Sequence, residues 1–256
     1  MLRILYSDLR FLLKNLGFKL TIAAGMLYVL GFVVILKIIM YFVNDGSFIY
    51  GEDILSAYND IAFIFITTIS VILFSADFTN GTIRNKLISG LKKSEIFVSS
   101  VISGMVASVI MTVIVTLFEA LLSIIFSEGF MTYNLAELSD NLLMLMITAA
   151  SVGAFMTMIV LVFGGKKMSY FAGFVTAFFL TILKMQVTND LYPINGNCTL
   201  TGTKLALYTA YDRFSPFMHF EGYPRWDLLS YTIGSVVLIA LSIGIGLIIF
   251  NRKEIN

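Results

Sequence analysis

Six stretches of this chain stay apolar for about twenty residues or more, the length a helix needs to cross roughly 30 Å of hydrocarbon. They run near residues 20–43, 58–77, 96–126, 141–163, 169–188 and 228–250. Hydrocarbon offers no hydrogen bonds, so a chain crossing it must form helices or a closed barrel. A barrel would alternate apolar and polar residues in segments of about ten, and no such alternation occurs. The sequence therefore predicts an all-α membrane protein with six transmembrane helices in a single domain, residues 1–256. Composition agrees: 13% of residues are charged, against about 25% in a soluble domain. The first run is too long for a signal-peptide core and ends in Tyr41-Phe42-Val43-Asn44, not in a small-residue cleavage site.

Lys and Arg set the expected orientation. Arg3, Arg10, Lys14 and Lys19 precede the first span, Arg84, Lys86, Lys92 and Lys93 follow the second, Lys166 and Lys167 follow the fourth, and Arg252 and Lys253 close the chain. These twelve of the 17 basic residues fall on one side of the predicted topology. The opposite loops are mainly acidic. Both termini are thus expected in the cytoplasm, in the cell membrane.

Two segments outside the spans have helical periodicity. In residues 1–17, Leu2, Leu5, Leu9, Leu12, Leu13 and Leu16 share an arc opposite Arg3, Ser7, Arg10 and Lys14. This reads as an N-terminal amphipathic helix at the membrane interface, broken from the first span at Gly17. After span two, residues 79–93 carry Ile83, Leu87, Ile88 and Leu91 on one predicted face, with Asn80 as N-cap, Gly90 as terminator and Ser94 capping span three. Arg84, Asn85 and Lys86 are expected to point away from the lipid.

The loop 189–227 is long for a bundle connection. Tyr208, Tyr211, Phe214, Phe217, Phe220, Tyr223 and Trp226 recur through it in steps of three. Short helices on the outer face before span six, with these rings at headgroup depth, are the expectation. A sharper reading makes the aromatics a site for a lipid-like or peptide cargo.

Catalytic signatures are missing. The sequence holds no G-x-x-x-x-G-K-[ST] and no H-E-x-x-H. One Cys, Cys198, and one His, His219, make neither an internal disulfide nor a conventional zinc site. No metal, no cofactor and no nucleic-acid partner are expected. The sequon Asn197-Cys198-Thr199 is taken as chance. Lys37, Lys184, Glu119, Asp60 and Asp227 all fall toward the outer ends of their spans, so no midplane acid is expected to relay protons.

The segment from Phe74 to Ser99, with Phe74, Asp77, Gly81-Thr82 and Lys92-Lys93-Ser94, resembles the permease subunit of type-2 ABC exporters, including permeases for antimicrobial peptides and phenol-soluble modulins. The layout of the whole chain is similar too. Asp77 stands where that family more often has Glu. The resemblance implies a coupling helix over Asp77, Asn80, Gly81, Thr82, Ile83, Arg84, Asn85, Lys86 and Leu87 that fits a groove on a separate P-loop ATPase subunit. ATP and Mg would bind in that partner. It also implies a second permease subunit, identical or related, and export of amphipathic or hydrophobic cargo, peptide being favoured. The alternative is a non-transporting scaffold or immunity protein that binds peptide at its outer aromatic loop.

Overall fold

The computed structural model describes residues 2–43, 49–130, 135–164, 166–193, 198–220 and 225–253. Among them the chain is entirely helical. In order come α1 (Leu2–Lys14), α2 (Leu16–Val43), α3 (Gly51–Leu55), α4 (Ala62–Thr79), α5 (Thr82–Ile88), α6 (Lys93–Phe126), α7 (Leu135–Phe163), α8 (Lys166–Leu191), α9 (Gly202–Phe214), a 3-10 turn (Pro216–Met218) and α10 (Leu228–Arg252). Six of these, α2, α4, α6, α7, α8 and α10, are long and apolar enough to cross a bilayer. The protein is a multi-pass membrane protein.

Helix α7 is the hub. In its most apolar window 67% of residues are buried within the protein, against 17% in α2, so α7 is the core and α2 its most exposed neighbour. Among the six long helices, contacts of α7 with α6, α10, α4 and α8 account for most of the packing.

Those contacts are made by small and hydroxylated side chains. Apolar surface gains little by leaving lipid, so close backbone approach and interhelical hydrogen bonds must hold the helices together. The Ser108 hydroxyl donates to the Gly104 carbonyl at 2.9 Å, and Ser70 and Thr157 hydroxyls lie 3.4 Å apart across α4 and α7. A Cβ on Gly153 would strike Ser108 and sit 3.0 Å from the Gly104 carbonyl. Ser151 of α7 donates to Ser235 of α10 at 3.3 Å. On α10 the packing face is Gly234, Ser235, Ser242, Gly246 and Phe250. Ala240 and Gly244, which the four-residue spacing suggests, are exposed instead. Gly246 lies under the Phe97 ring, which also meets Phe250 at 5.4 Å between centroids.

The bundle has two distinct ends. One carries α1, α5 and the C-terminal residues. Lys93 donates there to the carbonyl of Lys253 at 2.6 Å, and Lys253 to that of Val162 at 2.9 Å, so cations finish the open ends of α10 and α7. The other end carries α3, α9 and the 3-10 turn.

Several boundaries differ from the sequence reading. Residues 56–61 form turns, and α4 begins only at Ala62. Helix α6 starts at Lys93, where the Glu95 carboxylate accepts from the Lys92 N–H at 3.2 Å, so Ser94 is not its cap. The N-terminal helix does not lie free. Ile4 and Leu12 are buried, with Asp8 between them, because α1 packs along α6. The buried edge is therefore Ile4–Asp8–Leu12, while Leu13 and Leu16 of the predicted leucine arc are exposed.

Replacing Gly153 with Leu is expected to destabilise the bundle by about 1–3 kcal/mol, the usual cost of forcing extra volume into a packed core. Gly244→Leu, on a face with nothing within 4 Å, is expected to be neutral. Thermal unfolding of the two variants in mild detergent distinguishes them; equal midpoints would refute the packing assignment.

Candidate functional site

At the α1 and α5 end, α4 turns sharply into α5. Asn80 closes α4, its N–H donating to the Ala76 carbonyl at 2.8 Å. Gly81 follows with φ of +66°, left-handed backbone that favours glycine. Gly81, not Asn80, is thus the N-cap of the next helix, and no side chain caps it. The corner is built from backbone. Its seven-residue product, α5, ends before Ser89, and Gly90 at φ +90° returns the chain to α6.

Helix α5 lies across the base of the bundle with Ile83 buried and Leu87 packed on the core. Ile88 does not share that face. It is 75% exposed and lies beside Arg84 and Asn85, both also exposed. Lys86 departs from expectation as well. It turns inward, and its ammonium pairs with Asp8 of α1 at 2.8 Å, both side chains largely covered. The second Asp8 oxygen accepts from Ser99 of α6 at 2.9 Å. One carboxylate therefore ties α1, α5 and α6 together. Asp77 and Thr82 line the same cleft, of about 210 Å³, with Asp8, Lys86 and Phe74. The Asp8–Lys86 pair and the Ser99 hydroxyl make this cleft a joint between α1, α5 and α6. The outward surface of α5 is left as Arg84, Asn85 and Ile88: one cation, one amide and one bare apolar side chain.

At the opposite end the aromatic series does not form one layer. Phe220 is fully buried, 5.2 Å from the Phe63 ring, and Phe217 packs on Phe63 and Phe155. Tyr208 and Tyr211 cover a small separate cluster of Val187, Leu191 and Met218. Phe214 is partly exposed beneath the Arg213 guanidinium. Tyr223 lies outside the described residues. A period of three drifts around α9, so the rings scatter around the chain, and Phe217 and Phe220 enter the core. The described rings share no single layer, and Phe217 and Phe220 plug this end of the bundle.

Asp212 holds that plug. Only 2% of its side chain is exposed, and it accepts from Tyr192 Oη at 3.0 Å, Trp226 Nε1 at 2.9 Å and Arg225 Nη1 at 3.2 Å. Arg225 also stacks 4.0 Å above the Tyr192 ring. Lys184 donates to the Phe220 carbonyl and lies 3.9 Å from Asp60. His219 is buried, stacks on Tyr231 at 3.9 Å and shares a hydrogen bond with the Arg213 carbonyl at 3.0 Å. Burial pulls its imidazole down to about 4, against the smaller upward pull of the Arg213 carbonyl and Asp212. Glu119, expected near the outer surface, is also fully buried; it accepts from the Tyr58 N–H, freed by the turn before α4, at 2.7 Å.

Sequence reasoning therefore overlooked Asp8, Asp212 and the burial of Glu119. Asp8 had a visible signal, a single acid in an otherwise basic amphipathic segment. Among the described residues no group of His, Cys, Asp and Glu is arranged to hold a metal ion. No family model matches the chain, and no curated protein matches it in sequence.

Two measurements test these joints. Asp8→Asn strands the Lys86 charge and is expected to cost about 1–3 kcal/mol, less than a wholly buried pair because the cleft is open. Adding Lys86→Gln should recover part of that loss, and strictly additive effects would refute the coupling. The His219 ring must stay neutral to remain packed, so its contribution is complete above pH 6.5 and lost as pH falls toward about 4. The gap corresponds to about 3 kcal/mol. His219→Phe is expected to flatten the stability profile across that window, read by thermal unfolding in detergent.

Proposed function

We propose that this chain is the membrane-spanning permease subunit of an ATP-driven ABC exporter, with both termini in the cytoplasm. The observation that carries this reading is α5. It is a short helix held rigidly across one end of the bundle, joined to α1 by the Asp8–Lys86 pair and to α4 by a backbone corner, with Arg84, Asn85 and Ile88 facing outward. A protein with no nucleotide-binding motif of its own and such a displayed element suits a partner that supplies the energy. Movement of α5 would be passed to α1 through Asp8, to α4 through Gly81 and to α6 through Ser99. Asp77, Thr82, Ile83 and Leu87 hold α5 in place.

The family resemblance of the α4–α5–α6 segment supports the same reading. It brings with it a P-loop ATPase subunit that carries ATP and Mg, a second permease subunit, and α1 at the bilayer interface. The cargo class we favour is amphipathic or hydrophobic, with peptide first. This rests on the resemblance and on the shortage of charged residues within the spans. The chain itself is not an enzyme in this reading. The tightly packed outer plug gives the alternative, a scaffold binding peptide at exposed aromatics, no particular support.

The test is purification of the chain from its native membrane in mild detergent, followed by assay of ATP hydrolysis. A stoichiometric ATPase partner is expected, and its absence would remove the proposal. Arg84→Glu, on the exposed face, is expected to reduce partner recovery at least severalfold while membrane insertion is unchanged. Gly81→Pro imposes a φ near −65° on a residue at +66°. It should lower transport of amphipathic peptide without preventing insertion; normal transport in both variants would remove α5 from the mechanism.

A further inference from the structure

A second open surface lies at the other end of the bundle, between α2 and α6. It is a groove of about 410 Å³ that runs along α2 from Leu30 to Phe42 and is closed on one side by Leu122 and Phe126 of α6. At 1.5 Å per residue, the rise from Leu30 to Phe42 is about 18 Å, close to the half-thickness of a bilayer core of about 30 Å. The walls are apolar apart from Lys37.

Lys37 differs from the cations that the bundle has already engaged. Lys86 is paired with Asp8, Lys184 lies near Asp60, and Lys93 and Lys253 are spent on helix-end carbonyls. Among the described residues no acid lies in ion-pair reach of Lys37, which is exposed and lines the groove with its apolar stem. It sits six residues before the end of α2, about 9 Å below it. From there a lysine stem reaches toward headgroup level. An amphiphile with an apolar tail as long as one leaflet and an anionic head meets both features of the groove. A symmetric second copy meets neither, since packing α2 on α2 here would bring two Lys37 charges together.

We propose that this groove is a binding site for an anionic phospholipid of the leaflet at the α9 end, its acyl chain between α2 and α6 and its phosphate on Lys37. The site depends only on the chain lying in a bilayer, so it stands or falls separately from the export reading. Occupancy would brace α2, the least covered of the six long helices, against α6.

The full chain, with whatever subunits accompany it, is to be exchanged into nanodiscs of phosphatidylcholine with increasing phosphatidylglycerol, then released for native mass spectrometry. One phosphatidylglycerol per chain is expected to be retained in preference to phosphatidylcholine, and Lys37→Gln to reduce that preference about fivefold, the scale of one Lys–headgroup attraction. Val34→Trp, which fills the groove and keeps the cation, is expected to abolish retention. Equal retention of the two lipids, or a preference unchanged in both variants, would overturn the site. Efficient disulfide crosslinking between copies carrying Ile38→Cys would also overturn it, by showing the groove closed by a second chain.

Discussion

In a bilayer, two apolar helix faces gain little by meeting, because the lipid they leave is equally apolar. Everything in this bundle depends on how it answers that constraint. Its answer is a seam of hydroxyls and glycines on α4, α6, α7 and α10, where Gly104, Gly153 and Gly246 let backbones and rings approach while Ser70, Ser108, Ser151 and Thr157 hydrogen-bond across or along the gap. Helix α7 lies at the centre because it contributes to this seam with three neighbours. Helix α2 lies at the rim because its surface is almost uniformly aliphatic, and it has little to offer except to lipid.

The two ends of the bundle solve a different problem, that of charged groups beside a low-dielectric core. At one end Asp8 neutralises Lys86 and engages Ser99, which makes α1 part of the base of the bundle instead of a loose float. At the other, Asp212 gathers Tyr192, Trp226 and Arg225, and the chain around it is drawn into the bundle with Phe217 and Phe220. In both cases a single carboxylate organises several helices. The two ends differ in what they leave outside: α5 presents Arg84, Asn85 and Ile88, whereas the α9 end turns Phe217 and Phe220 inward and leaves Phe214 exposed.

How much of this was legible beforehand follows from the range of each interaction. The six long helices were readable because length and apolarity are local properties. The α4–α5 corner was readable because Gly81 announces it. Its details were not: a periodic face predicts Ile88 inward, but Ile83, Leu87 and, beyond the helix end, Leu91 take the core contacts, and Ile88, one residue round from Leu87, points out. The tyrosine and phenylalanine series misled for a related reason. Its spacing suggested one surface, whereas Pro216 ends α9 and the 3-10 turn redirects Phe217 and Phe220 into contact with Phe63, more than 150 residues earlier in the chain. Asp8 and Lys86 find each other across 78 residues, and no local pattern encodes such a pairing.

The position of α7 in the chain has a consequence for biogenesis. Helices α4 and α6 carry Ser70 and Ser108, both wholly buried, against Thr157 and Gly153 of α7, yet both helices are synthesised before α7. A growing chain delivers its N-terminal segments first, so these polar faces enter the bilayer with no partner to meet. Until residue 163 has left the ribosome, α1, α2, α4 and α6 have only one another to pack against and lack the hub of the bundle. Translation arrested in the first half of the chain would therefore leave membrane-inserted helices whose only available partners are the translocon or one another.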